Sequence, residues 1–260
     1  MLRSTVVRAC LLALTASLTA CGGGGGGNSA SSTSTATTTP PVTAEGLYSG
    51  TTSTGYQLAG LVLETGEYYV LYSKNNTIYG VVQGNGTSNN GSFSSSNAFD
   101  FFLPNSSRTP ATVSATYTAK QSLQGTLTEA GQGVTFTSTY QSSYDTPASL
   151  SAIAGTYSGA SATGSGTAPI SLTVSANGSL SGTSTVGTTT CGYSGTLTPR
   201  STGKNVFNVS VTFNGSNCAL GTATVAGYAV PVTNGTTTTL YAVGLLPDRS
   251  NGFLAIGTKN

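Results

Sequence analysis

Seven carboxylates and no histidine set the first limit on what this 260-residue chain can catalyse. Without an imidazole, the Ser-His-Asp and Cys-His nucleophile arrangements cannot be assembled, and the commonest general base is missing. The acids are Glu45, Glu64, Glu67, Asp100, Glu129, Asp145 and Asp248. Glycoside hydrolysis needs two carboxylates converging on one cleft, and only Glu64 and Glu67 are close in sequence. Glu64-Thr65-Gly66-Glu67 reads as a hairpin turn, which leaves both acids in solvent. Asp248-Arg249 reads as a loop ion pair. No Gly-x-x-x-x-Gly-Lys-Ser/Thr phosphate loop occurs, and the glycine run 22–27 precedes no strand–helix unit. The expectation is a protein that is not an enzyme and carries neither cofactor nor metal.

Tyrosine is the residue type with recognition potential. Tyr68, Tyr69, Tyr72 and Tyr79 crowd together, and exposed tyrosine is enriched in binding faces. At strand spacing, one set would fill an interior while Tyr69 decorates the surface, and that reading is adopted here. Ligand-binding residues are not identified by type or spacing.

The composition describes the body that must position these groups. Charged residues make up 6% of the chain, against about 25% in ordinary domains. Glycine, serine and threonine take their place, which excludes a charge-driven disordered tail. The net charge of +2 belongs to the precursor: removing Arg3 and Arg8 from nine basic residues leaves seven, against seven acids. A neutral remainder has no basic footprint for nucleic acid and no polybasic patch for anionic lipid.

Residues 1–20 have the form of a signal peptide. Arg3 and Arg8 give a positive start, Leu11-Leu12-Ala13-Leu14 a short apolar core, and small residues precede Cys21. The apolar stretch falls short of the roughly 20 residues needed to span a bilayer. Leu18-Thr19-Ala20-Cys21 resembles the bacterial lipobox. That resemblance implies cleavage before Cys21, diacylation of its thiol and acylation of its new amine, so that membrane lipid becomes a partner through the N-terminus. Several acyl chains would anchor stably where one is marginal. Gly22 is not the Asp that holds such proteins in the inner membrane of enteric bacteria, which implies the outer membrane. Residues 21–44 then form a Gly/Ser/Thr/Pro tether. About 22 flexible residues have an r.m.s. reach of ~26 Å.

With Cys10 in the removed segment and Cys21 acylated, Cys191 and Cys218 remain. One cysteine pair in an exported protein is expected to be a disulfide. A zinc site would need four ligands, and histidine is absent.

From Glu45 onward the apolar pattern has period two. It runs through Leu58-Gly60-Val62, Tyr68-Val70-Tyr72, Phe99-Phe101-Leu103, Val113-Ala115-Tyr117, Leu123-Gly125-Leu127 and Val134-Phe136, and it predicts short half-buried strands with one apolar face. Asn-Gly pairs at 85–86, 90–91, 177–178, 214–215, 234–235 and 251–252 favour two-residue type I′ turns. Gly46-Leu47-Tyr48-Ser49-Gly50 returns 109 residues later as Gly155-Thr156-Tyr157-Ser158-Gly159, where a second domain would start. Between the copies, Thr146 as N-cap with Pro147 at the first helical position predicts one helical turn. Leu150 and Ile153 on that turn would plug a barrel end. The second half predicts about eight strands, with Cys191 on the fourth and Cys218 on the sixth, enough to close a barrel.

Cys21, its polyglycine and the strand-rich body resemble the surface lipoproteins of Gram-negative bacteria, in the layout of the transferrin-binding-protein-B and factor-H-binding-protein group. Ala154-Gly155-Thr156-Tyr157 after a helical turn is similar in pattern to lipocalin and avidin-like barrels, with Gly-Thr-Tyr where those carry Gly-x-Trp. The resemblance carries over no binding residue. The combined expectation is an all-β protein with two small antiparallel up-and-down barrels of about eight strands each. The organisation is 1–20 signal peptide, 21–44 lipidated tether, 45–145 first barrel, 146–154 linker with a helical turn, and 155–260 second barrel. The expected function is non-catalytic binding or adhesion at the cell surface, with a host or environmental macromolecule as partner. The alternative is a periplasm-facing barrel that carries a small apolar ligand or supports the envelope. A membrane-spanning barrel is disfavoured, because the outer strand faces read as Ser/Thr-rich.

Overall fold

The computed structural model describes residues 42–75 and 77–260. Residues 1–41, with the signal segment, most of the tether and Cys21, lie outside the described residues.

The first half contains β1 (Gly46–Thr52), β2 (Gln57–Val62), β3 (Glu67–Lys74), β4 (Thr77–Asn85), β5 (Thr87–Asn89), β6 (Ser92–Phe102), β7 (Ser107–Thr118), β8 (Ser122–Glu129) and β9 (Gln132–Tyr140). All pairings are antiparallel, β1 pairs with β9, and β4 pairs with β6, so eight strands close into a barrel with β5 as an appended ribbon. The second half contains β10 (Gly155–Thr163), β11 (Gly166–Val174), β12 (Ser179–Val186), β13 (Thr189–Pro199), β14 (Phe207–Phe213), β15 (Thr224–Asn234), β16 (Thr237–Leu245) and β17 (Gly252–Lys259). These close into a second eight-strand barrel through β10 and β17. Closure leaves no long unpaired strand edge among the described residues.

The repeated motif is the first strand of each barrel. Tyr48 and Tyr157 are fully buried, and each hydroxyl donates to the carbonyl four residues back, Ala44 at 3.0 Å and Ile153 at 2.6 Å. The ring therefore fills the barrel end while the incoming chain satisfies its polar tip. The second glycine of each copy lies in the closing strand pair. A Cβ at Gly50 would sit 1.9 Å from the Thr137 carbonyl oxygen, and one at Gly159 would sit 1.9 Å from that of Ile256. A side chain at either position would drive the closing strands apart.

The helical turn α1 (Leu150–Ile153) is capped by Ser149, whose hydroxyl accepts from the Ala152 amide, and not by Thr146. Thr146 instead ends a preceding 3-10 turn at Ser142–Asp145, and Pro147 is too early to join α1. Ile153 is buried in the second barrel's core with Leu150 packed against it, so α1 does plug that barrel.

Of the six Asn-Gly pairs, Asn90-Gly91 has both residues at positive φ, 46° and 85°, as a type I′ turn requires. Asn85-Gly86 lies where β4 passes directly into β5, and the others lie at strand ends or in longer loops. Ala130-Gly131 has the same positive pair, 46° and 81°, between β8 and β9; there the tight strand pairing overrides the usual preference for Asn.

A larger correction concerns Phe99, Phe101 and Leu103. A register shift between Ser95 and Ala98 reverses the expected facing of β6. Asp100 and Phe102 line the barrel interior. Phe99 and Leu103 belong to the outer side, where they meet the other barrel.

The barrels are joined along a continuous seam. Leu47, Leu61 and Leu63 pack with Tyr144, Val206 and Val230, and Tyr69 and Val81 pack with Ala162 and Leu254. The outer faces of β2–β4 and β15–β17 are therefore apolar, contrary to the expectation of uniformly Ser/Thr-rich exteriors. The outer faces of β7 and β11 are polar and exposed, through residues such as Thr112, Ser114, Ser171 and Thr173. Burial of two apolar strand faces against each other supplies the driving force for the joint.

Candidate binding cavities

Inward-facing residues of β1–β4 and β6–β9 enclose a cavity of about 400 Å³ in the first barrel. Tyr48 and Phe93 belong to its plugged end, and Thr54, Tyr56 and Glu129 to its open end. Asp100 is the buried acid on this wall, 8% exposed. Both of its carboxylate oxygens accept from the Tyr72 hydroxyl, at 2.8 and 3.0 Å. Burial pushes the Asp100 carboxyl up to about 6, partly offset by the Tyr72 hydrogen bond, with the nearby Glu129 charge adding to the rise. Burial and the Asp100 charge push the Tyr72 hydroxyl upward as well, so it stays a donor. Tyr68 also points inward and donates to Ser95 at 3.1 Å.

The second barrel encloses about 390 Å³, lined mainly by Ile170, Leu172, Leu180, Val209, Val211 and Phe213. Its one titrating phenol, Tyr193, is pushed by burial up to about 12. The expected disulfide is present: Cys191 and Cys218 are bonded with Cα atoms 4.7 Å apart. Cys191 lies on β13, but Cys218 lies in the loop after β14 and not on a strand. The bond pins that loop over the open end of the second cavity, which both cysteines line.

Glu64 is in the turn between β2 and β3, as expected, and Glu67 opens β3, but neither is left to solvent alone. Glu64 accepts from Arg200 Nε of the second barrel at 3.0 and 3.1 Å. Partial burial raises the Glu64 carboxyl, but the Arg200 hydrogen bonds outweigh it and hold it below the usual range. Glu67 accepts from Tyr69 at 2.7 Å and from Tyr228 at 2.8 Å. Tyr69 is thus buried in the seam, 7% exposed, and is not a surface ornament. Asp145 joins Lys204 at 2.7 Å and Lys120 at 3.0 Å, and the Lys204 hydrogen bond is the main cause holding its carboxyl down at about 2.

Asp248 and Arg249 do not form an ion pair. Asp248 accepts from the Ser250 amide and hydroxyl. Arg249 reaches across the seam to the carbonyls of Asn97 at 2.9 Å and Gln83 at 2.8 Å. The Glu64–Arg200 contact joins turns at the plugged ends, while Arg108 donates at 2.8 Å to the Arg249 carbonyl in an open-end loop. The two mouths therefore open on the same side.

Among the described residues, no three His, Cys, Asp or Glu side chains gather as metal ligands, and no helix is long and apolar enough to cross a membrane. The seam and the inward Asp100 are what sequence reasoning missed. The signal for the seam was present in runs apolar at consecutive positions, Gly60-Leu61-Val62-Leu63 and Tyr68-Tyr69-Val70-Leu71-Tyr72.

No family model and no curated protein matches the chain. Among solved structures, it is similar to Transferrin Binding Protein B, a vaccine antigen, from Haemophilus parasuis Hp5, at 10% identity over 78% of this chain and 65% of that one, TM-score 0.29. It is also similar to the isotype 1 protein of that name from serogroup B Neisseria meningitidis, at 10% identity over 79% and 58%, TM-score 0.31. The chain thus spans less than two thirds of the length of either. No residue role is carried over from them.

Proposed function

We propose that the chain is a non-catalytic binding protein, anchored through acylated Cys21 to the bacterial outer membrane and displaying its two barrels on the cell surface. The observation that carries this reading is the seam. It fuses the barrels into one body whose open-end loops, one of them pinned by Cys191–Cys218, form a single presenting end for a host or environmental macromolecule. The lipobox-like Leu18-Thr19-Ala20-Cys21 and the Gly/Ser/Thr-rich sequence that follows it support the anchor. No basic footprint remains once the leader is removed, which argues against nucleic acid as the partner. Radiolabelled palmitate should enter the native chain and not Cys21→Ala. Protease added to intact cells should remove the barrels; complete protection there would overturn surface display.

A second reading is a periplasm-facing carrier of small apolar molecules. The two cavities favour it, at about 400 and 390 Å³, because small-molecule sites fall at about 300–1,000 Å³ with mainly apolar walls. Native mass spectrometry of protein purified from its own host should then show a bound mass. Uniformly empty protein would count against this reading.

A further inference from the structure

The two cavities differ in one respect that bears on what each would hold. The second is lined by apolar and neutral polar side chains with no charged group, whereas the first carries two carboxylates, Asp100 and Glu129. Each lies in phase with inward apolar neighbours on its strand, Asp100 with Phe102 and Glu129 with Leu127. Asp100 is more than nine-tenths buried, and the Tyr72 hydroxyl is its hydrogen-bond donor. Neither acid takes part in any ion pair found among the described residues. A carboxylate withdrawn from water without a cation is costly to keep.

Aromatic rings stand around the same place. Tyr56 and Tyr72 meet edge to face with centroids 5.5 Å apart, and Phe102 and Phe136 complete that part of the lining. Ring faces attract a desolvated cation. Lys74 does not fill the role: its Nζ lies 5.4 Å over the Tyr56 ring and donates to the Thr54 carbonyl. The remaining space toward Tyr48 is walled by Val and Leu side chains.

We propose that the first barrel binds a small organic cation, a primary amine on an apolar or aromatic body. Its ammonium group sits between Asp100 and Glu129 near the open end, and its body extends toward Tyr48. This deepens the carrier reading and rests on it. Asp100 serves as the anchoring acceptor, Tyr72 orients its carboxylate, and the aromatic rings replace the water that the ammonium gives up.

The test is calorimetric titration of the purified two-barrel protein with phenylpropylamine, phenylpropanol and phenylpropanoate, which share one body and differ in head-group charge. The amine should bind at least roughly tenfold tighter than the alcohol, and the carboxylate should bind weakest. Asp100→Asn should abolish the preference for the amine over the alcohol. Glu129→Gln, at a strand end, should narrow the same preference if Asp100→Asn does not fold. Equal binding of amine and alcohol by the unmutated protein would overturn the cation inference and leave the carrier reading standing. Failure of all three to bind would overturn both.

Discussion

The guanidinium carbon of Arg249 lies 4.6 Å from the ring centre of Phe99 on the other barrel. Its two terminal nitrogens donate to the Asn97 and Gln83 carbonyls of the same barrel as Phe99. A residue in the last loop of the second barrel thereby closes on a strand pair of the first. The planar fork reaches two carbonyls at once, which a lysine cannot do. Arg249→Ala should lower unfolding stability by about 2 kcal/mol, and Arg249→Lys should recover less than half of that. Urea denaturation measures both.

The seam predicts an asymmetry between outer faces that look equivalent as strand sequence. Leu254 is buried against Tyr69 and Val81, so Leu254→Asp would bury an unpaired charge and should cost at least about 3 kcal/mol. Ser171→Asp, on an exposed outer face, should stay within about 0.5 kcal/mol. Equal effects in thermal melts would mean that the seam does not persist in solution.

Asp100 gives stability a pH dependence opposite to that of a salt-bridged acid. Its folded carboxyl is held up at about 6, above the unfolded value of about 3.9. The native state therefore binds the proton more tightly, and this group's contribution is full below about pH 4 and lost as pH rises through 6. Asp100→Asn keeps an acceptor for Tyr72 without the charge. Its melting temperature should match the parent near pH 4 and exceed it by pH 7, by the equivalent of about 2 kcal/mol. Parallel curves would remove Asp100 from the account.

The barrels were legible in the sequence and the joint between them was not. Tyr68, Val70 and Tyr72 gave a correct inward face because alternation marks one side of a strand. Tyr69 and Leu71 between them are apolar too, but a period-two reading has no place for a strand covered on both sides. Asp100 was harder still. It sits among Phe99, Phe101 and Phe102, and its inward direction depends on the register shift at Ser95–Ala98, which no local residue preference announces. The Gly-x-Tyr-x-Gly repeat was readable because buried tyrosine and backbone contact at glycine both demand particular residue types.

Reduction of Cys191–Cys218 tests the second barrel by itself. The cysteines are 27 positions apart, and closing a loop of that size stabilises by roughly 3.6 kcal/mol on the chain-entropy account. The Cys191→Ala, Cys218→Ala double variant should unfold at correspondingly lower urea. Changes in hydrogen exchange should concentrate in the loop between β14 and β15 and leave the first barrel near its original protection.

The seam also bears on whether copies of the protein could stack on one another. It sets early strands of the first, β1–β4, against β15–β17 and β10 of the second, so its two sides are unlike. A joint of unlike sides has no built-in stopping point: a third barrel could dock on the second as the second docks on the first, and so on into a filament. The outward Thr112 and Ser114 at one end and Ser171 and Thr173 at the other offer nothing for such growth. Polar outer faces of this kind disfavour docking of a further copy.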